Sequence, residues 1–158
     1  MEIAHCELKN NVACKYGGAI KSFYGHLSLT DCILSENSVE SRYYGGGAIY
    51  NYDAIFTVRD CAFLHNASNS DGGAIYDGSF NTRVNISNTR FCDNVAKRGG
   101  AIASSSYKST MLIDNAVFSS NMAEDHCGAI ANCSLSDEST ISLSDCSFKD
   151  NWPNDHNI

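Results

Sequence analysis

The chain has 158 residues and a formal net charge of −7, from 18 acidic and 11 basic side chains. The basic residues do not cluster, so we expect no binding to nucleic acid or to an anionic membrane surface. No apolar run approaches the roughly 20 residues of a membrane helix, and we expect no membrane insertion by this segment. Asn, Ser, Gly, Tyr and Asp are common, a composition typical of short strands joined by turns.

A tetrapeptide of two glycines, an alanine and an isoleucine recurs at intervals of 26 to 29 residues. The copies are Gly17–Ile20, Gly46–Ile49, Gly72–Ile75, Gly99–Ile102 and, with a cysteine in first place, Cys127–Ile130. Glycine permits an unusual backbone conformation and a close approach of neighbouring backbone, whereas isoleucine favours a strand. We expect each copy to begin a strand after a corner, with Ile20, Ile49, Ile75, Ile102 and Ile130 pointing inward.

A second pattern lies between these copies and repeats six times without an insertion. Two apolar residues alternate, as in Leu27 and Leu29, and a second alternating pair follows, as in Cys32 and Leu34. Period two predicts strands with one buried face, and the residue between the pairs, such as Asp31, favours a turn. Each copy ends at an asparagine (Asn11, Asn37, Asn66, Asn94, Asn121, Asn151), three residues after Leu8, Leu34, Phe63, Phe91, Phe118 or Phe148.

Together these patterns predict an all-β fold, a right-handed single-stranded parallel β-helix of about five to six coils. Each coil would contain three short strands: the Gly-Gly-Ala-Ile strand and the strands of the two alternating pairs. Coils that stack about 4.8 Å apart place like residues over like, so the Asn, Phe and Ile rows become structural ladders. An α/β solenoid of the leucine-rich type is the main alternative, but it needs helical spacing that the repeat does not show.

The length predicts one domain, residues 1–158, made of repeat units. The units span about 1–16, 17–45, 46–71, 72–98, 99–126 and 127–158. The chain opens inside a strand and offers no capping helix, so we expect a fragment of a longer repeat protein. Uncapped coils also predict end-to-end self-association.

The two interleaved motifs resemble the polymorphic outer membrane protein repeat of chlamydiae, which is also found in some protist surface proteins. Four Gly-Gly-Ala-Ile copies alternate with four Phe-x-x-Asn copies: Phe63–Asn66, Phe91–Asn94, Phe118–Asn121 and Phe148–Asn151. The resemblance covers Met1 to about Asn151. It implies a secreted or cell-surface module, often an autotransporter passenger linked to adhesion, with a host-cell protein or glycan as partner. The N-terminus lacks the basic and apolar regions of a signal peptide.

The eight cysteines include no Cys-x-x-Cys pair, so we predict neither a metal site nor another cofactor. Cys6, Cys32, Cys61 and Cys146 share one position of the repeat, and we expect them to form a buried row of small side chains. Oxidation of some pair in this row is the alternative. Cys127 and Cys133 could form a disulfide bond if the protein is exported.

Carboxylates are the candidate catalytic groups, because several β-helix enzymes cut polysaccharides with Asp and Glu side chains. Asp53 and Asp77 follow their Gly-Gly-Ala-Ile strands by similar distances, but no His or Arg recurs beside them. A glycosidase needs two facing carboxylates across the scissile bond. We therefore predict no catalytic residues and no enzyme, and keep a polysaccharide lyase or hydrolase as the alternative.

Tyrosines that flank the first three Gly-Gly-Ala-Ile strands are the main binding candidates. These are Tyr43, Tyr44, Tyr50, Tyr52 and Tyr76. A half-exposed aromatic strip can bind a glycan or a protein, because tyrosine offers rigid, amphipathic contact area. The alternative is stacking between coils that only stabilises the sheet, which would leave a passive structural spacer.

Overall fold

The computed structural model describes residues 1–78, 80–134 and 138–154. Its strands, in chain order, are β1 (Glu2–Ala4), β2 (Glu7–Lys9), β3 (Val12–Ala13), β4 (Ile20–Thr30), β5 (Ile33–Ser35), β6 (Ser38–Val39), β7 (Ile49–Arg59), β8 (Ala62–Leu64), β9 (Ala67–Ser68), β10 (Ile75–Asp77), β11 (Arg83–Ser87), β12 (Arg90–Cys92), β13 (Val95–Arg98), β14 (Ile102–Ser104), β15 (Thr110–Asp114), β16 (Val117–Ser119), β17 (Met122–His126), β18 (Ile130–Asn132), β19 (Thr140–Ser144) and β20 (Ser147–Lys149). The described residues contain no helix, and the strands stack in about five coils with three strands per coil. The predicted parallel β-helix class is confirmed. Its right-handed sense and the unit boundaries stay predictions.

Three parallel sheets form the walls of the coil. The first contains β1, β4, β7, β10, β11, β14, β15, β18 and β19; the second runs β2-β5-β8-β12-β16-β20; the third runs β17-β13-β9-β6-β3. Pairing is in register, so each residue lies over its equivalent in the next repeat. Phe91 pairs with Phe63 and Phe118, and Ile75 pairs with Ile49 and Ile102.

The division of each coil into strands differs from the predicted one. The Gly-Gly-Ala-Ile strand and the Leu27/Leu29-type strand both lie in the first sheet, and in β4 and β7 they form one continuous strand. Longer connections after Ile75 and Ile102 split this strand in later coils. The third wall is formed instead by the short strands after each asparagine, which are not among the three predicted strands of a coil. Their inward side chains, such as Ala96 and Ala123, are small, so no strong apolar alternation marks them.

The core consists of stacked side chains from the first and second sheets. The rings of Phe63, Phe91 and Phe118 are fully buried, with successive centroids 4.9 Å apart and planes within 9°. Phe148 continues the stack at the same spacing. Burial of each such side chain contributes about 1.5–3 kcal/mol relative to exposure, so stability grows with the number of stacked coils.

The asparagine column closes the turn between the second and third sheets. Each side-chain amide donates to the Oδ1 atom of the next asparagine at 2.9–3.0 Å. From Asn37 onward, each amide also donates at 2.9–3.0 Å to the backbone oxygen of the Leu or Phe residue at the end of the preceding repeat. The same Oδ1 atoms accept a backbone N–H of the preceding asparagine. A buried amide is thereby satisfied on both its donor and acceptor sides.

The paired glycines lie where neighbouring segments approach most closely. The first glycine of a pair has a left-handed φ, for example +67° at Gly72, and Cys127 adopts the same conformation at +62°. The second glycine has no room for a side chain. A Cβ atom added at Gly73 would collide with the carbonyl oxygen of Gly100 and lie 2.7 Å from the amide nitrogen of Val95. This confirms the expectation that the motif supplies backbone freedom and a tight approach.

Replacing Gly73 by alanine should destabilise the protein by about 3 kcal/mol, because the added methyl group must displace backbone on two sides. Gly25→Ala is the control: Gly25 also lies in the coil, at φ +84°, but nothing lies within 4 Å of its added Cβ. That change should cost only about 1–2 kcal/mol of left-handed backbone strain. Urea denaturation measures both changes, and equal losses would contradict a steric role for the second glycine.

Asn94→Asp should lower the free energy of unfolding by about 3 kcal/mol or more. The change replaces two N–H donors by a carboxylate that faces the Phe63 carbonyl oxygen and the Oδ1 atom of Asn121. The same substitution at Asn154, an exposed residue, should be nearly neutral. The measurement is the midpoint of thermal unfolding for each variant. An unchanged midpoint for Asn94→Asp would rule out the asparagine column as a stabilising element.

Candidate functional site

The aromatic residues of the first coils form one contiguous cluster on the outer side of the first sheet. Its centre is Tyr50, whose ring centroid lies 4.8 to 6.5 Å from five other rings. We call this group the aromatic cluster; its members are Tyr16, Phe23, Tyr24, Tyr44, Tyr50, Tyr52 and Tyr76.

Strand register and the corner segments together assemble the aromatic cluster. Parallel pairing places Phe23 beside Tyr52 in β4 and β7, and Tyr50 beside Tyr76 in β7 and β10. The segments that precede the glycine pairs add Tyr16 and Tyr44, whose centroids are 4.5 Å apart. The residues of the first sheet therefore form the base of the cluster, and residues of the corner segments cover it.

Tyr50 lies at the base of the aromatic cluster and is only 4 % exposed. The expectation of a half-exposed side chain is wrong at this position, because rings from Tyr16 and Tyr44 cover the outer side of the sheet. Burial and the neighbouring tyrosines, above all Tyr76, raise the pKa of Tyr50. Tyr50 is thus packed inside the aromatic cluster.

Tyr76 and Tyr52 are intermediate in exposure. The Tyr76 hydroxyl is hydrogen-bonded to the hydroxyl of Ser105, and burial is the main cause that raises its pKa. The ring of Tyr52 stacks on Phe23 at 5.0 Å. Both side chains present an edge to solvent while their faces are packed.

Four aromatic side chains face solvent; three belong to the aromatic cluster, and the fourth, Tyr43, precedes Tyr44 in the chain and lies outside the cluster. Tyr43 is 86 % exposed, Tyr24 67 %, Phe23 42 % and Tyr44 40 %. The ammonium group of Lys21 lies 4.3 Å from the ring centroid of Phe23 and is close to Tyr16 as well, which adds a cation to this surface. The arrangement offers ring faces, hydroxyl groups and one positive charge to a partner.

The carboxylates considered for catalysis tie neighbouring coils together. Asp77 is 1 % exposed, and it accepts a hydrogen bond from the side-chain amide of Asn51 at 2.7 Å and another from the hydroxyl of Ser106. Asp53 accepts a hydrogen bond from the backbone N–H of Phe80. These contacts explain both residues structurally. The described part of the chain contains no group of three or more side chains placed to hold a metal ion.

The repeated cysteine position supplies a hydrogen-bond donor that sequence reasoning missed. The Sγ atoms of Cys6, Cys32, Cys61 and Cys146 lie 3.1–3.2 Å from the carbonyl oxygen two residues earlier, across the corner. The Thr89 hydroxyl makes the same contact at 2.7 Å. A thiol and a hydroxyl therefore make the same contact here, and the replacement of Cys by Thr at position 89 was the available signal.

Every cysteine is a free thiol in the structure. Cys127 and Cys133, the pair considered for a disulfide bond, lie in one small apolar cluster with Ala103 and Ala131. Burial raises the pKa of Cys133 to about 11, and the pKa of Cys61 to about 11 as well. Because the thiolate is the reactive form, neither thiol is suited to nucleophilic chemistry at neutral pH.

Residues 60–77 match the family model of the Chlamydia polymorphic membrane protein (Chlamydia_PMP) repeat. That segment is similar to this repeat. The matched segment contains both motifs, Phe63–Asn66 and Gly72–Ile75, so the family resemblance predicted from the sequence is confirmed.

The Chlamydia polymorphic membrane protein repeat is a structural repeat of surface proteins, and the β-solenoid fits a module of such a protein. A search of curated proteins found no match, and a search of solved structures found none either. None of the described segments is a helix able to span a membrane.

Thiol labelling should separate the cysteines by burial. A maleimide at about pH 8 should modify the exposed Cys6 and Cys14 first, whereas Cys61, with a pKa of about 11, should react more than tenfold more slowly. Mass spectrometry of timed samples identifies the labelled residues. Equal rates at Cys61 and Cys14 would contradict the burial of Cys61 inside the stacked coils.

Proposed function

We propose that the chain is an adhesin-type module of a cell-surface or secreted protein, an outer-membrane passenger that binds a host-cell protein or glycan. The supporting observation is the exposed aromatic surface made by Phe23, Tyr24, Tyr43 and Tyr44, each at least 40 % exposed. Aromatic side chains held on a rigid framework bury much contact area on binding and lose little conformational entropy. They are therefore typical anchors of recognition surfaces.

The fold supports a recognition role because it makes the aromatic surface rigid. Phe23 projects from β4, and its backbone pairs with Tyr52 of β7. Tyr44 packs against Tyr16. A carbohydrate-active enzyme has less support, since Asp53 and Asp77 are engaged in contacts between coils. A passive spacer needs no exposed aromatic group at these positions.

The double variant Tyr24→Asn and Tyr43→Ser should reduce binding at least tenfold, because it removes the two most exposed tyrosine rings. Asparagine is chosen at position 24 because this residue has a φ of 58°, which asparagine tolerates. The measurement is binding of the fluorescently labelled chain to cultured epithelial cells and to a glycan array. Tyr107→Ser is the matched control, since Tyr107 is 43 % exposed but lies in another coil, against Phe80.

Retained binding by the double variant would locate recognition elsewhere on the chain. Absence of binding by the unmodified chain would favour the spacer. Turnover of a polysaccharide panel by the unmodified chain would favour the enzyme.

A further inference from the structure

The connection between Asn37 and Gly46 is longer than its counterparts in the other repeats. Its extra residues fold into an ordered loop. The Ser41 hydroxyl accepts hydrogen bonds from the backbone N–H groups of Tyr43 and Tyr44, both at 3.1 Å. The side-chain amide of Asn69 in the next coil donates to the backbone oxygen of Glu40 at 3.2 Å. The loop is thus fixed both internally and to its neighbour.

Two consecutive tyrosines of this loop have opposite roles. Tyr44 packs on the aromatic cluster, whereas Tyr43 is 86 % exposed. Beside Tyr43 lies a cleft of about 400 Å³, which we call the insertion cleft. It is lined by Arg42, Tyr43, Ser70, Asp71, Lys97 and Arg98, together with Asp125 and His126.

The three basic side chains of the insertion cleft differ in how closely a carboxylate pairs with them. Both oxygens of Asp71 are occupied by Arg98, at 2.8 Å from Nε and 2.6 Å from Nη2. Lys97 lies 3.8 Å from Asp125, and both side chains are about half exposed, so this pair is weak. No carboxylate among the described residues lies within 4.0 Å of a basic nitrogen of Arg42.

The insertion cleft is therefore locally positive on a protein of net charge −7. Three basic residues of the lining face two acidic ones, which leaves a formal charge of +1 with His126 neutral, and Glu124 lies in the adjoining depression beside Arg42 and Lys97. The excess charge resides on Arg42, whose planar guanidinium suits a carboxylate that accepts two parallel hydrogen bonds. The adjacent Tyr43 ring offers an apolar face of the kind that packs against a sugar ring.

We propose that the insertion cleft binds an acidic sugar of a host glycan, a sugar that bears a carboxylate. This inference rests on the proposed binding function and names its ligand class. In this arrangement Arg42 holds the carboxylate, Tyr43 packs on the ring, and Lys97 adds a second positive charge. Arg98 is held in place by Asp71 and forms the wall of the cleft.

The overall charge favours an acidic sugar over an acidic protein as the ligand. A strongly acidic protein would be repelled by the net charge of −7 as it approached. The electrostatic energy of a single carboxylate on a glycan depends mainly on the charges that line the cleft, because salt screens charges beyond about 8 Å at physiological ionic strength. The volume of about 400 Å³ also suits one sugar ring better than a polypeptide segment.

The experiment uses the whole chain on an array of sialic acid- and glucuronic acid-terminated glycans, each beside its neutral parent. We expect at least tenfold preference for the acidic forms, at least tenfold weaker binding after Arg42→Gln, and a smaller loss after Arg42→Lys. Raising salt from about 50 to about 500 mM should weaken binding further. Arg59→Gln makes the same charge change in β7 and should leave binding unchanged.

Circular dichroism and the unfolding midpoint verify that each variant is folded. Two results would overturn the acidic-sugar inference and leave the proposed function standing: binding only to neutral glycans, or binding to cells only through protein. In either case Arg42→Gln would have no effect on binding. Binding to polyglutamate in preference to the acidic glycans would also overturn it. Absence of binding to every glycan and every cell would overturn both.

Discussion

The structure depends on the hydrogen-bonded column of asparagine side chains at the turn between the second and third sheets. Each amide joins two coils, and each of the four from Asn37 to Asn121 is fully buried. A shift of one residue in any coil would leave buried amides without partners, at about 1–3 kcal/mol each. The column therefore enforces the register in which phenylalanine stacks on phenylalanine and isoleucine on isoleucine, and the solenoid follows from that register.

The same constraint separates the repeated scaffold from the variable surface. Residues that repeat are needed inside the coil, or where backbones touch, as at Gly73. Residues that do not repeat are free to vary, and they lie on the outer side of the first sheet and in the connections. Tyr24, Arg42 and Tyr43 belong to this second class. Binding by such a protein is expected where the repeat is broken, because only there does the surface differ from coil to coil.

The fold class could be predicted from the sequence, because a parallel in-register solenoid repeats the same residue type at the same position. The third sheet could not, since its inward residues, such as Ala96, are too small to give an apolar alternation. The burial of Tyr50 also escaped prediction, because it depends on rings that the corner segments carry. The insertion cleft joins Arg42 to Lys97, which lie two coils apart and share no motif, so only the folded chain brings them together.

The central claim is that buried asparagine amides hold the coils in register, and side-chain hydrogen exchange measured by NMR tests it most directly. The account predicts that the Nδ2 protons of Asn37, Asn66, Asn94 and Asn121 exchange with D₂O at least a hundredfold more slowly than those of the exposed Asn154, because exchange requires the column to open. Exchange of the column amides at the rate of Asn154 would contradict it.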